Sequence, residues 1–155
     1  MKLIVMAGLP CSGKSTIVNE INQNLNYEIL SYDDVRESFS KERGILYTDS
    51  FDPKFSKVIT KLYHLRRESL IKDKKNIILD ATNINSGVRA AVLLQFPGYD
   101  PSCIFMDTPV DVCISRNMIR KWKFIPESIF WDFEKKKELV SETEEFSEFH
   151  IIPGV

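Results

Sequence analysis

Eight residues near the N-terminus constrain the fold of this chain more than any other feature of its sequence. Residues 8–15 read GLPCSGKS and match the pattern G-x-x-x-x-G-K-[ST] at every fixed position. An apolar run, residues 2–7, precedes them and is typical of a buried strand. Residues 14–25 follow with apolar side chains at helical spacing. A strand before the motif and a helix after it identify a phosphate-binding loop (P-loop).

The residue types of this loop suit the phosphates of a nucleotide. Glycines let the backbone curl so that several N–H groups point inward, and the following helix adds the positive end of its dipole. Lys14 is expected to contact the β- and γ-phosphates, and Ser15 to ligate Mg²⁺. We therefore predict ATP and Mg²⁺ as cofactors. The predicted nucleotide-binding residues of the loop are Gly8, Cys11, Ser12, Gly13, Lys14, Ser15 and Thr16.

Strand and helix patterns alternate along the whole chain, which predicts an α/β fold. The expected architecture is a parallel β-sheet flanked by helices on both faces, of the P-loop NTPase or kinase type, forming a single domain over residues 1–155. The predicted strands are 2–7, 27–31, 76–80, 102–106 and 148–152. The predicted helices are 14–25, 33–39, 55–71, 86–96, 110–121 and 126–140, with a loop over 40–53.

Composition excludes several classes of protein. Of 155 residues, 43 % are hydrophobic, so the chain can bury a core. No apolar run approaches the ~20 residues of a membrane helix, and the three cysteines lack metal-site spacing. We expect a cytoplasmic protein with reduced thiols and no membrane partner. The acidic residues Glu142, Glu144 and Glu145 are interpreted as a solvated loop.

Missing motifs narrow the class of P-loop protein. A regulatory GTPase needs an N-K-x-D element and an ABC-type ATPase needs its signature loop, and the sequence contains neither. A AAA motor is usually longer and has a sensor-bearing second domain. A small phosphotransferase remains.

Acidic and basic residues follow the second predicted strand, at the edge of the sheet where ligands bind. Asp33 is placed to accept the proton of an acceptor hydroxyl. Arg36 is placed to hold an acceptor phosphate bidentately. The alternative is an acidic first helical turn in which Asp33 and Asp34 stabilise the helix dipole.

A polar cluster follows the third predicted strand. Asp80 is a candidate for holding Mg²⁺ through water. Thr82 and Asn83 are candidates for hydrogen bonds to a sugar or phosphate of the substrate. The alternative is ordinary turn chemistry, for which Asn and Thr are common.

Residues 116–123, RNMIRKWK, contain no acidic side chain and form a candidate lid segment. Arg116 and Arg120 are four residues apart and so share one helix face. That face is predicted to bind the nucleotide and to stabilise charge on the transferring group. The alternative is a solvated basic helix end, and Trp122 is expected either to stack on a base or to pack.

These stretches together resemble the kinase domain of bacteriophage-type polynucleotide 5′-kinases. The matching segments are GLPCSGKST at 8–16, DDVR at 33–36, TNIN at 82–85 and RNMIR at 116–120. The resemblance implies that Lys14 and Ser15 bind the donor phosphates and that Asp33 is the general base. It also implies that Arg36 binds the acceptor's phosphate and that Arg120 supports the transition state.

The chain departs from that family at two points. Ala81 stands where the family has an acidic residue, with Asp80 one position earlier. The D-x-D-G-T motif of a second, phosphatase domain is missing, so we expect a kinase only. The expected acceptor is the 5′-hydroxyl of a DNA or RNA end. The alternatives are a nucleoside or metabolite kinase and a nucleotide-binding switch without an acceptor.

Overall fold

The computed structural model describes residues 1–154, which form a five-stranded sheet with helices on both of its faces. The strands are β1 (Lys2–Gly8), β2 (Glu28–Leu30), β3 (Ile77–Leu79), β4 (Asp100–Asp107) and β5 (Glu148–Pro153). The helices are α1 (Lys14–Leu25), α2 (Tyr32–Arg43), α3 (Pro53–Lys72), α4 (Ser86–Leu93), α5 (Val110–Met118) and α6 (Glu127–Lys136), with a 3-10 turn at Thr48–Phe51.

The strand order is β2-β3-β1-β4-β5, and every neighbouring pair is parallel. The predicted α/β fold is therefore confirmed. Because all strands run the same way, the segments that follow β1, β2 and β3 meet at one edge of the sheet. That edge holds the P-loop, the start of α2 and residues 80–85.

The central strand β1 is buried on both faces, and its side chains alternately contact helices on one face and on the other. Leu3 and Val5 pack in a cluster that contains Leu70 of α3. Met6 points the other way and packs with Val18 of α1. This two-sided burial explains the continuous apolar run before the P-loop.

The segment predicted as a loop over 40–53 is partly helical. Helix α2 continues to Arg43 and ends at Gly44, whose φ of 65° is left-handed. Two basic side chains in its last turn, Lys41 and Arg43, suit the negative end of the helix dipole. The polar composition of these residues reflects an exposed helix end.

None of the helices within residues 1–154 is both long and apolar enough to cross a membrane.

Helices α4, α5 and α6 end earlier than predicted, and for α5 and α6 residues near the predicted end make contacts elsewhere. Helix α5 stops at Met118, and the buried Asn117 amide exchanges hydrogen bonds with the backbone of Ile125. Helix α6 stops before Lys137, and the Glu138 N–H then donates to the carbonyl of Ile84 at 2.9 Å. Tertiary hydrogen bonds therefore set both helix ends.

Glu144 is predicted from sequence to lie in a solvated loop with Glu142 and Glu145, but the Glu144 side chain is not solvated. Its carboxylate forms a bidentate pair with Arg89, with N–O distances of 2.7 and 2.8 Å. The Arg89 side chain is 0 % exposed and also donates to the carbonyl of Asn83 at 2.9 Å. The pair therefore ties the C-terminal segment to the loop that follows β3.

We expect Glu144→Gln to lower the free energy of unfolding by roughly 3 kcal/mol, because it leaves the buried Arg89 cation without its counter-charge. Glu145→Gln, which changes an exposed side chain in the same loop, should lie within ~0.5 kcal/mol of the wild type. Chemical denaturation of the three proteins measures the difference. Equal unfolding midpoints would show that the Arg89–Glu144 pair adds no stability.

Candidate active site

The P-loop backbone adopts the curled conformation that phosphate binding requires. Gly8 and Gly13 have φ values of 134° and 101°, in the left-handed region that glycine tolerates. A Cβ atom at Gly8 would lie 2.7 Å from the Met106 carbonyl oxygen, so β4 also excludes a larger residue there. The glycines of the motif are thus explained by backbone geometry and by close packing.

Lys14 lies at the centre of this loop, and its ammonium group contacts oxygen atoms. Its Nζ donates to the carbonyls of Gly8 at 3.0 Å and Leu9 at 2.6 Å. Burial lowers the pKa of Lys14 to about 8, although the Asp80 carboxylate acts in the opposite direction. Phosphate oxygens are stronger acceptors for a buried cation than carbonyl oxygens. The loop therefore fits a nucleotide phosphate.

Ser15 and Asp80, both predicted to hold the metal, lie in contact. The Ser15 hydroxyl donates to Asp80 Oδ2 at 3.0 Å, so the shift of the acidic residue by one position does not separate them. A hydroxyl and a carboxylate are suitable oxygen ligands for Mg²⁺. No group of three acidic, His or Cys side chains in the described part of the chain could hold a metal. Water and nucleotide phosphate would have to complete the octahedral shell.

The two lid arginines close one side of a cavity of about 550 Å³ over the P-loop. Arg116 donates to the Cys11 carbonyl and Arg120 to the Cys11 sulfur, each at 3.2 Å. Pro153, the last residue of β5, and Gly154, which follows it, line the same cavity. Nothing in the sequence indicates these two residues, because only the strand order brings β5 beside β4.

Asp33 lies on the first turn of α2 and is held by two side chains from elsewhere in the chain. Its Oδ2 accepts a hydrogen bond from Lys123 of the lid segment at 2.8 Å. Its Oδ1 accepts one from the hydroxyl of Tyr47. Lys123 also pairs with Glu37 at 2.9 Å. Burial opposes the charge on Lys123, but the hydrogen bonds to Asp33 and Glu37 outweigh it and raise its pKa.

Asp34 points in a different direction from Asp33. It lies on an exposed part of the first turn of α2, and desolvation together with the Asp80 carboxylate raises its pKa. Adjacent residues of a helix do not share a face. Asp33 therefore lies against the lid segment, whereas Asp34 lies towards the Ser15–Asp80 pair.

Arg36, predicted to bind an acceptor phosphate, is only 6 % exposed in this structure. Its NH1 donates to the carbonyl of Ser50 at 2.6 Å, and its guanidinium carbon lies 4.0 Å from the centre of the Phe51 ring. The side chain thus already has an oxygen acceptor, supplied by the 3-10 turn.

Asn83, predicted to hydrogen-bond a sugar or phosphate of the substrate, contacts the backbone of β1 in this structure. Its side chain is 3 % exposed and donates to the carbonyl of Met6 at 2.7 Å. The neighbouring Thr82 carbonyl accepts from the N–H of Gly8 at 2.8 Å, while the Thr82 side chain stays half-buried. These two residues brace the end of β1, since they satisfy backbone groups where the P-loop begins.

Trp122 does not pack in the core. It is 60 % exposed, and Nζ of Lys123 lies 4.8 Å from the centre of its ring. Trp122 belongs to the lid segment. Of the two predictions for its side chain, packing or stacking on a base, stacking on a base is the one that remains.

We expect Lys14→Met to lower turnover by roughly 10²–10³-fold or more, the loss typical when one electrostatic contact to the transferring group is removed. The fold should persist, because the Lys14 ammonium contacts loop oxygens and lies outside the apolar core. Steady-state turnover and thermal melting measure the two effects. Lys136→Met, on the exposed face of α6, is the matched control. If folded Lys14→Met keeps near wild-type turnover, the P-loop assignment is wrong.

Comparison with known proteins agrees with this fold. Residues 3–132 match the model of a family described as AAA domain. A 59-residue stretch is 41 % identical to 6-phosphofructo-2-kinase 1 of Saccharomyces cerevisiae. That match covers 34 % of this chain and only 7 % of the yeast protein.

Solved structures resemble the chain over nearly its full length. One chain of the Pnkp1/Rnl/Hen1 RNA repair complex is 26 % identical, with a TM-score of 0.69. The match covers 94 % of this chain and half, 50 %, of that one. A sugar kinase from Janibacter sp. HTCC2649 is 17 % identical, with a TM-score of 0.68 and coverage of 99 % and 85 %. The chain therefore belongs to the AAA domain family and has the fold of a P-loop kinase, a class of phosphotransferase.

Proposed function

We propose that the chain is an ATP-dependent polynucleotide kinase, which transfers the γ-phosphate to the 5′-hydroxyl of a DNA or RNA end. The main support for this reaction is that the lid segment contacts both the P-loop and α2. Arg120 reaches the P-loop at Cys11, and Lys123 reaches Asp33 on α2. A donor cradle and a carboxylate base lie on the two sides of one short segment, as transfer to a hydroxyl requires.

In the proposed reaction Asp33 accepts the proton of the acceptor hydroxyl while its oxygen attacks the γ-phosphorus. The bond from that phosphorus to the ADP oxygen breaks on the opposite side. Lys14, Arg116 and Arg120 stabilise the charge on the equatorial oxygens. Mg²⁺, held by Ser15 and through water by Asp80, would neutralise charge on the β- and γ-phosphates.

The charge on α3 supports a nucleic-acid acceptor. The helix carries six basic residues and one acidic residue, although the whole chain has a net charge of −1. Lys57 and Lys61 are exposed one turn apart, and neither forms an ion pair within residues 1–154. The helix starts directly after the turn that contacts Arg36. Phosphates that continue from the acceptor nucleotide would meet this positive face.

The named relatives support two acceptor classes. The RNA repair complex, at 26 % identity, agrees with the resemblance to polynucleotide 5′-kinases. The segment related to 6-phosphofructo-2-kinase 1 favours a small-molecule kinase as the alternative. The two classes differ in whether the acceptor is the end of a nucleic acid or a small metabolite.

A panel of acceptors separates these functions. With labelled ATP, we expect transfer to an oligonucleotide with a 5′-hydroxyl and to a 3′-phosphorylated mononucleotide, and far less to the bare nucleoside. The KM for the oligonucleotide should rise with salt, because each phosphate contact releases counterions. Equal use of the bare nucleoside and an absence of salt dependence would favour the small-molecule kinase.

The control for this panel is a double variant of α3, Lys57→Gln with Lys61→Gln. If the helix binds phosphates, the logarithmic salt slope for the oligonucleotide falls by roughly 0.7–0.9 for each lost contact. The mononucleotide should be used as before. The exposed pair Lys135→Gln with Lys136→Gln on α6 changes the net charge equally and should leave the slope unchanged.

The base assignment predicts a strong difference between two adjacent residues. Asp33→Asn should lower turnover by roughly 10²–10⁴-fold, the range for loss of a general base, with little change in ATP affinity. Asp34→Asn should have a far smaller effect on turnover, because within residues 1–154 Lys123 of the lid segment pairs with Asp33 and Glu37 and not with Asp34. Single-turnover transfer and nucleotide titration measure both quantities. An inactive Asp34→Asn beside an active Asp33→Asn would assign the base to Asp34.

A further inference from the structure

The turn formed by residues 47–51 contacts both α2 side chains that the proposed function assigns to the acceptor. The Tyr47 hydroxyl donates a hydrogen bond to Asp33. The Ser50 carbonyl accepts one from Arg36. We call these residues the acceptor-side turn. No other segment of residues 1–154 supplies hydrogen-bond partners to both Asp33 and Arg36.

These two contacts have the chemistry that an acceptor would provide. An attacking hydroxyl must donate its hydrogen bond to Asp33, as the Tyr47 hydroxyl does here. A phosphate oxygen must accept from Arg36, as the Ser50 carbonyl does here. A donor hydroxyl and an acceptor oxygen, three residues apart on one turn, thus occupy both predicted acceptor contacts.

The acceptor-side turn is held in place by its own contacts. Ser50 is fully buried, and its hydroxyl donates to the Tyr47 carbonyl. The Tyr47 ring packs edge-on against Phe51, with 5.4 Å between centroids. On its other side, Nζ of Lys123 lies 5.2 Å from the centre of the Tyr47 ring. Tyr47 is therefore positioned by the turn and by the lid segment.

The electrostatic surroundings keep the Tyr47 hydroxyl a donor. Burial and the hydrogen bond to Asp33 raise its pKa, so the phenol stays protonated. The cations Arg36 and Arg120 act in the opposite direction, with smaller effect.

We propose that Tyr47 occupies Oδ1 of the base as a stand-in for the acceptor hydroxyl. It competes with water for that oxygen, although the Asp33 side chain is 46 % exposed, and it is displaced by acceptors that also supply an anionic oxygen to Arg36. The inference rests on the proposed function, because it takes Asp33 as the base. A single water molecule cannot reach both contacts of the turn, and the acceptor it offers Arg36 is neutral, whereas a phosphate offers an anionic oxygen.

The side reaction that Tyr47 suppresses is hydrolysis of ATP. A water oxygen would attack the γ-phosphorus, the bond to the ADP oxygen would break, and Asp33 would take the proton released. The products are ADP and inorganic phosphate. Tyr47 prevents this step only while its hydroxyl holds Asp33.

Tyr47→Phe tests the proposal, since it keeps the ring and removes the hydroxyl. ATP hydrolysis without acceptor should rise roughly three- to tenfold, the factor that corresponds to one net hydrogen bond. The KM for a 3′-phosphorylated mononucleotide should fall by a similar factor, with kcat for transfer unchanged. Tyr63→Phe is the matched control, because the Tyr63 hydroxyl has no hydrogen-bond partner within residues 1–154 and its ring packs against the core.

Unchanged hydrolysis and unchanged acceptor KM in Tyr47→Phe would overturn the proposal. A higher KM with a lower kcat would also overturn it, because Tyr47 would then support the acceptor. Adding Asp33→Asn to Tyr47→Phe should return hydrolysis to the wild-type level; persistent hydrolysis would show that Asp33 is not the group protected. Tyr47→Leu repeats the test if the first variant melts early.

The proposed kinase activity and the proposed role of Tyr47 are tested by different measurements. If the wild type transfers phosphate to no hydroxyl acceptor, the proposed function is wrong. The hydrolysis measurement needs no acceptor, so it still decides whether Tyr47 shields Asp33 from water.

Discussion

The enclosed ammonium group of Lys14 is the charge on which the arrangement of this site depends. A cation in a buried position is costly unless oxygen atoms surround it. The loop meets that requirement by turning its own carbonyls of Gly8 and Leu9 towards Nζ. The left-handed glycines and the close approach of β4 at Met106 follow from the same curl. A nucleotide phosphate fits because it offers this cation better acceptors than the backbone does.

A second set of charged side chains surrounds Lys14 and connects the P-loop with α2. Arg116 and Arg120 lie against the P-loop, whereas Lys123, a few residues on, lies between two carboxylates of α2. The hydrogen bonds between Asn117 and Ile125 fix the spacing of this segment. A displacement of the lid at one side would therefore change contacts at the other.

Local patterns predicted the parts of the molecule that depend on neighbouring residues. The P-loop, the helix over 14–25 and the apolar strands follow from spacing alone, and the parallel order follows from their alternation. The roles assigned to Asp33, Arg36 and Asp80 stay predictions.

The remaining features depend on partners far apart in sequence. Nothing near Glu144 indicates that its carboxylate meets Arg89, 55 residues earlier. Asn83 reads as a polar turn residue, yet its amide satisfies a carbonyl 77 residues away. The contact of Lys123 with Asp33 likewise joins residues separated by 90 positions. Such pairs are decided by strand order and burial, which a single sequence does not state directly.

The Arg89–Glu144 pair has a consequence for the order in which the protein is made. The loop that braces the P-loop, through Thr82 and Asn83, is fastened by Glu144, which is translated long after the P-loop itself. Pro153 and Gly154 complete the cavity later still. The nucleotide site therefore cannot be complete until β5 and Gly154 have been translated and have joined the sheet beside β4.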